Sequence, residues 1–367
     1  MKLEKYLEAY LDGYQNYKTY WNYEDGCVLL GAKGMYEATG EERYFDFIEK
    51  YLKQFVMDDG TIAHYEMEKF NIDCVNPGKI LYFMYDKTGE EKYRKAIDVM
   101  MEQLKKQPRC DCGNFVHKGI YPNQIWLDGL YMAQPFYMEH ETRYNKKEKY
   151  NDIISQFENV RTYLFDEEKG LYYHAYDEAR EQSWSDKKTG CSASFWLRSM
   201  GWYLMALVDV MDAMSFEIFE HYKKLQDMFK EALKGILAYQ DAETKLFYQV
   251  IDRADAEGNY LETSGSAMVA YAILKACRMG VLLKEKYADM GMDIVKSLLD
   301  NKLLKTEDGV HLVDICKGAG LGPANRPERD GSVEYYISEE KVADDAKGVG
   351  VLMMAYAQYL QLKAELD

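Results

Sequence analysis

Positive charge is in short supply in this chain. Its 367 residues hold 46 Lys and Arg against 62 Asp and Glu, a formal net charge of -16. Binding nucleic acid needs a basic face, so that partner class is excluded. An anionic small molecule stays open wherever a pocket gathers cations locally. Long apolar runs are missing too, and no stretch approaches the roughly 18 residues of a membrane span. The opening segment, MKLEKYLEAYLDGY, has the pattern of an amphipathic acidic helix, without the apolar core of a secretory leader. A cytoplasmic protein with no membrane partner is expected.

Only 6 prolines occur, and no stretch rich in Pro, Gly and Ser interrupts the chain. One domain spanning residues 1–367 is therefore expected. The 7 cysteines are odd in number and scattered, with only Cys110 and Cys112 (CDCG) close together. A C-x-C without a second pair is a weak zinc signal. Free buried thiols in a reducing cytoplasm explain the cysteines better, and neither metal nor cofactor is expected.

Apolar and aromatic residues, at 47% and 14%, supply ample material for a core. One aromatic run, QIWLDGLYMAQPF at 124–136, contains a single acid, Asp128. A carboxylate buried there without a partner is strongly unfavourable, so Asp128 belongs at a helix end or in a working site.

Two segments resemble each other, YEATGEERYFDFIEKYL from Tyr36 and YDKTGEEKYRKAIDVMM from Tyr85. In each, an apolar helix ends at Thr-Gly (Gly40, Gly89), where glycine suits a left-handed cap, and a new helix opens on Glu-Glu at its positive end. A period near 50 residues points to stacked helical hairpins. The 3.6-residue pattern predicts helices at roughly 3–18, 27–39, 41–55, 78–88, 90–106, 127–143, 146–164, 196–214, 216–240, 265–279, 286–300 and 347–366. These make six hairpins, and the links from Asp166 and Asp241 look like one loop used twice. Six hairpins with loops gathered at one end suggest an all-α (α/α)6 toroid. Inner helices are apolar all round, as in SMGWYLMALVDVM, while outer ones carry charge on one face. Functional residues are then expected at or just before inner-helix starts.

Those starts carry Trp21, Tyr23, Glu24 and Asp25; Asp73; His117, Lys118, Tyr121, Trp126 and Asp128; His174 and Asp177, then Trp196, Arg198 and Trp202; Glu262, Thr263 and Ser264; and Asp344, Asp345 and Lys347. Singly, each has a plain explanation. Asp73, Asp128 and Ser264 suit helix caps, a lone histidine is usually structural, and Trp196 and Trp202 suit a core. Together they suit a sugar, whose ring faces stack on indoles and whose hydroxyls need directed polar partners. Arg198 adds a two-pronged grip for a carboxylate, which hints at an acidic sugar.

The motifs HKGIYPNQIWLDGLYM, GLYYHAYDEA, TGCSASFWLRSMGWY, YQDAETKLFYQVIDR and LETSGSAMVAYAI, with WNYEDG and EATGEERYF, span most of the chain. On them the sequence resembles glycoside hydrolase family 105, the unsaturated rhamnogalacturonyl hydrolases. The resemblance implies an (α/α)6 barrel, Asp128 as general acid and base, and Asp73 as a second catalytic aspartate. It implies that Tyr23, His117, His174, Trp196, Arg198 and Trp202 line the sugar cleft.

The implied substrate is an unsaturated acidic disaccharide left by a polysaccharide lyase. Protonation of its C4=C5 bond and addition of water at C5 would release the neighbouring sugar. Apolar surroundings should then raise the Asp128 pKa, with Asp73 holding water or keeping that proton in place by repulsion. An unsaturated glucuronyl hydrolase, a sugar 2-epimerase on the same fold, and a non-enzymatic glycan- or peptide-binding scaffold are the rival readings.

Overall fold

A computed structural model describes residues 2–367. The hairpin unit reads directly from the repeated Thr-Gly. Gly40 and Gly89 sit in the left-handed region (φ 70° and 68°), and their N–H groups close onto Tyr36 O and Tyr85 O at 2.8 Å. Thr39 and Thr88 bond back to Met35 O and Met84 O, also at 2.8 Å, and each following helix has an acid in its first turn.

Thirteen α-helices result among the described residues. They are α1 (Lys2–Asp12), α2 (Tyr23–Thr39), α3 (Glu42–Phe55), α4 (Lys79–Thr88), α5 (Glu91–Lys106), α6 (Leu127–Tyr144), α7 (Tyr150–Leu164), α8 (Leu197–Ala213), α9 (Phe219–Leu237), α10 (Thr263–Arg278), α11 (Lys284–Asn301), α12 (Val333–Ser338) and α13 (Ala346–Leu366). All twelve expected helices are present. The six-residue α12 is additional, because so short a helix has no period to detect. The first helix ends at Asp12 rather than near residue 18. There the carboxylate of Asp25 takes the Tyr14 hydroxyl at 2.6 Å and the Tyr17 N–H at 2.8 Å, drawing the chain out of the helix.

Helices α2, α4, α6, α8, α10 and α13 form the inner ring of an (α/α)6 toroid, with α3, α5, α7, α9 and α11 outside. The sixth outer position falls to α1, whose Tyr6 hydroxyl bonds Asp344 at 2.6 Å ahead of α13. Outer helices bury one stripe, as α5 does with Tyr93, Ala96, Ile97, Met100, Met101 and Leu104. The ring closes where α13 meets α2 at backbone distance. A Cβ on Gly31 would stand 2.6 Å from Gly350 O, so only glycine permits this approach.

The remaining strands are short antiparallel pairs: 124–126 with 175–177, 165–166 with 171–172, 303–305 with 310–312, and 315–316 with 341–342. The loops at Asp166 and Asp241 do match. Each aspartate carboxylate caps N–H groups two or three residues ahead (Glu168 and Lys169; Thr244), and each carbonyl receives the N–H four residues on. Residues 317–340 lie over the mouth formed by the inner-helix N-termini. They are held by a small apolar cluster that includes Trp126, Trp184, Trp196, Leu321, Tyr335 and Tyr336. No helix among the described residues is long and apolar enough to cross a membrane.

Candidate active site

The strand pair at 124–126 and 175–177 does the central positioning. Trp126 faces Ala175 in register, and Leu127 N–H bonds His174 O at 3.0 Å, so the start of α6 is pinned beside His174. Asp128, second residue of α6, then projects its Oδ2 to 3.1 Å from His174 Nε2. The two atoms are close but poorly aligned for a hydrogen bond, so the contact is chiefly electrostatic. On the other edge of the imidazole, Nδ1 pairs with the Tyr336 hydroxyl at 2.8 Å.

A second acid–imidazole pair lies alongside. Ile72 N–H bonds His117 O at 3.2 Å, which brings the Asp73 loop to the His117 loop. His117 Nε2 then meets Asp73 Oδ1 at 2.7 Å, and Lys118 Nζ meets Oδ2 at 2.8 Å. The indole of Trp126 separates the pairs, 5.6 Å from the His117 ring and 5.2 Å from that of His174. Gly129 makes this crowding possible, since a Cβ there would stand 3.1 Å from Ile72 Cδ1 and 3.4 Å from His117 Nδ1.

The electrostatics correct the expectation of a protonated Asp128. Burial pushes its pKa up, but His174 and then His117 outweigh burial and hold it below the usual carboxylate value. Asp73 behaves likewise: burial is overcome by Lys118 and His117, which hold it well below the carboxylate range. Its charge is thus already compensated, and repulsion from Asp73 is not what governs Asp128. The cap readings fall as well. Asn71 caps the turn at Asp73, the Asp128 side chain caps nothing, and Glu262 rather than Ser264 caps α10.

Trp196 packs against the His174 ring at 4.7 Å and stacks on Tyr336 at 5.9 Å. Arg198 rests on Trp196 at 4.8 Å, with its Nη1 engaged by Ser264 Oγ at 3.2 Å and by the Cys316 carbonyl. Deeper in the barrel, Trp202 stacks on Tyr131 at 4.7 Å and meets Tyr23 edge-on at 6.2 Å. Below them, Lys79 Nζ sits 3.3 Å from the Tyr131 ring centre, so a solid layer closes the axis. The eight predicted residues gather at one mouth in two layers. Asp73, His117, Asp128, His174, Trp196 and Arg198 form the upper one, and Tyr23 and Trp202 form its floor.

These groups do not form an open cleft. His174, Trp196, Arg198 and Trp202 are at most 2% exposed, and the 317–340 segment lies over them. A void of about 10 Å³ beside His117 and Trp126 has room for no more than a water. A cavity of about 550 Å³ instead opens at the opposite mouth, between the C-terminal halves of the inner helices, and none of the eight residues lines it. Acid–imidazole pairs, buried polar atoms without a partner and neighbouring indoles are gathered at the covered mouth. His117 Nδ1, for example, is buried without a hydrogen-bond partner among the described residues.

Four contributors escaped the sequence reading in their actual roles. Tyr336 comes from the unpredicted α12. Lys118 has its partner, Asp73, 45 positions away, so nothing local in the sequence marks the pair. Glu262 accepts from Ser264 Oγ at 2.7 Å and from Gly265 N–H at 2.6 Å, fixing the serine that holds Arg198. Lys18 pairs with Glu24 at 2.6 Å and so offsets the charge of that buried acid next to Tyr23.

A closed ring of helical hairpins with acid–imidazole pairs and indoles at one mouth is the architecture of an (α/α)6 carbohydrate-active enzyme. The model of Glycosyl Hydrolase Family 88 matches residues 4–363. A solved glycoside hydrolase from family 105 of C. acetobutylicum ATCC 824 is 40% identical with a TM-score of 0.92, covering 98% of this chain and 99% of that one. Protein Atu3128 of Agrobacterium fabrum is 40% identical over 240 residues, 63% of this chain and 99% of that protein. The unsaturated rhamnogalacturonyl hydrolase YesR of Bacillus subtilis is 24% identical over 312 residues, 83% of this chain and 85% of that one. The chain belongs to the family 88 and 105 group of glycoside hydrolases, the unsaturated uronate hydrolases, and within it to family 105.

Proposed function

We propose that the protein is an unsaturated rhamnogalacturonyl hydrolase acting on a lyase-generated disaccharide whose uronate ring carries a C4=C5 bond. The observation that carries this reading is the buried Asp128–His174 contact, with Tyr336 behind the histidine. The likeness to YesR favours the rhamnogalacturonyl substrate.

In this reading the pair holds one exchangeable proton. The substrate is anionic, and a carboxylate arriving near Asp128 raises that group's pKa and moves the proton onto it. Asp128 then protonates C4, and positive charge develops at C5 and the ring oxygen. Water adds at C5 and returns a proton to Asp128. The resulting hemiketal opens to a ketone at C5, and the hemiacetal left at C1 collapses to an aldehyde, freeing the neighbouring sugar. Since C1 is never attacked, the spacing rule for retaining and inverting carboxylates does not govern the site.

Asp73, held ionised by Lys118, orients His117 and the attacking water. Trp196 and Arg198 shape the uronate pocket, and Trp202 and Tyr23 support it from below. The 317–340 segment moves aside to admit substrate. A cytoplasmic location fits an enzyme that finishes imported disaccharides.

The test is incubation with unsaturated disaccharides prepared by lyases from rhamnogalacturonan, ulvan and glycosaminoglycan, following their near-ultraviolet absorbance. Preferential loss with the first supports the proposal. Preference for a glucuronyl substrate replaces it with the unsaturated glucuronyl hydrolase, and no loss with any removes both.

A further inference from the structure

The fold gives the Cys110-x-Cys112 turn the third ligand that its sequence lacks. Glu178 follows the strand at 175–177 and reaches the turn from the neighbouring hairpin. Its carboxylate accepts the N–H of Asp111 at 2.7 Å and of Cys112 at 3.0 Å. The two sulphurs and a Glu178 oxygen all lie within 4.8 Å of one another. From metal–sulphur and metal–oxygen bonds of about 2.3 and 2.0 Å, the edges of a tetrahedral site are about 3.5–3.8 Å long. The donors therefore converge with little movement.

The surroundings are those of a supported ligand set rather than a chance cluster. Ligating carboxylates are commonly fixed by hydrogen bonds from outside the site, as Glu178 is here by two backbone groups. The turn itself is rigid. Cys110 N–H bonds Asn114 O at 2.9 Å, Gly113 N–H returns to Cys110 O at 2.9 Å, and Gly113 sits at φ 101°. Asn159 ties the same turn to α7 by bonding Cys112 O at 2.9 Å and Asn114 Oδ1 at 2.8 Å. Cys110 is buried while Cys112 and Glu178 are half-exposed, which leaves the fourth position to water from the solvent side. Both thiols are free.

We propose that Cys110, Cys112 and Glu178 form a binding site for one thiophilic divalent cation of the zinc type, with water as fourth ligand. Two thiolates select zinc over magnesium or calcium. The cation clamps the 110–113 turn to the 175–178 strand end, and so joins the loops that carry His117 and His174. It lies outside the reaction, and the proposal holds whichever substrate the enzyme takes.

The test uses full-length protein purified under reducing conditions, both wild type and Asp128→Asn, so that the result is independent of turnover. Zinc is measured by equilibrium dialysis, and cobalt(II) is titrated for its thiolate charge-transfer absorption. One zinc per chain and a thiolate band are expected, with affinity at least 100-fold weaker in Cys112→Ser and about 10-fold or more weaker in Glu178→Gln. Cys112 is half-exposed, so its serine variant folds even if Cys110→Ser does not. Sub-stoichiometric zinc, full affinity in Cys112→Ser, or two thiols found joined as a disulfide each overturns the proposal.

Discussion

His174 is held between Tyr336 and Asp128, with its Nδ1 2.8 Å from the phenol and its Nε2 3.1 Å from the carboxylate. The phenol thereby sets how the ring presents Nε2 to the acid. Tyr336→Phe keeps the ring stacked on Trp196 but removes that bond. Turnover is expected to fall about tenfold, the ~1.4 kcal/mol of one hydrogen bond, with KM little changed and the pH–rate profile displaced. An unchanged profile assigns Tyr336 to packing alone.

Asp73 depends on Lys118 in the same direct way. The folded protein holds Asp73 below its ordinary pKa, so its contribution to stability is present above about pH 4 and disappears as pH falls through the lowered value. Lys118→Met leaves the buried carboxylate with His117 only and is expected to cost about 2 kcal/mol at neutral pH. The difference from wild type shrinks as pH falls from about 4 towards the lowered value, since a protonated Asp73 no longer needs the cation. Urea titrations across that range check it, and a pH-independent difference contradicts the ion-pair account.

Gly129→Ala tests the crowding around Asp128. The added methyl meets Ile72 Cδ1 at 3.1 Å and His117 Nδ1 at 3.4 Å, so the neighbours shift by a few tenths of an ångström. A loss of about tenfold in kcat/KM, with melting temperature lowered only a few degrees, is expected because reaction geometry is more sensitive than packing. Wild-type activity shows that His117 tolerates displacement.

Lys79 lies at the floor of the opposite cavity, 7% exposed, and no carboxylate pairs with it among the described residues. The other lysines and arginines lining that cavity each hold an acid, among them Lys33 with Glu37 and Lys275 with Asp209 and Asp212. Burial pulls the Lys79 pKa down to about 7, so keeping it charged opposes folding below its ordinary value and does so fully below about pH 7. Lys79→Met is expected to stabilise by about 1–4 kcal/mol at pH 7, with the gain fading towards pH 10. Denaturation midpoints at both pH values decide it. A destabilised variant shows that the amine's contacts with Tyr131 outweigh its burial.

The sequence revealed what repeats. Thr-Gly caps, outer helices with one apolar stripe and inner helices apolar all round each leave a local pattern, and twelve helices followed from them. The site was readable wherever a polar group broke such a pattern, as Asp128 does inside QIWLDGLYM. What stayed hidden was made by contacts between distant segments. Tyr336 is 162 positions from His174, on a helix too short for a period, and nothing local marks it. The expected rise in the Asp128 pKa failed for the same reason: burial was legible in the run, whereas the imidazole that opposes it arrives through the pairing of 124–126 with 175–177.

The measurement closest to the central claim is the turnover of Asp128→Asn on unsaturated rhamnogalacturonyl disaccharide, followed by loss of its near-ultraviolet absorbance. General acid–base catalysis commonly supplies about 100- to 10,000-fold, so kcat is expected to fall at least 100-fold while circular dichroism and melting temperature stay near wild type. Turnover near the wild-type rate in that variant contradicts the account.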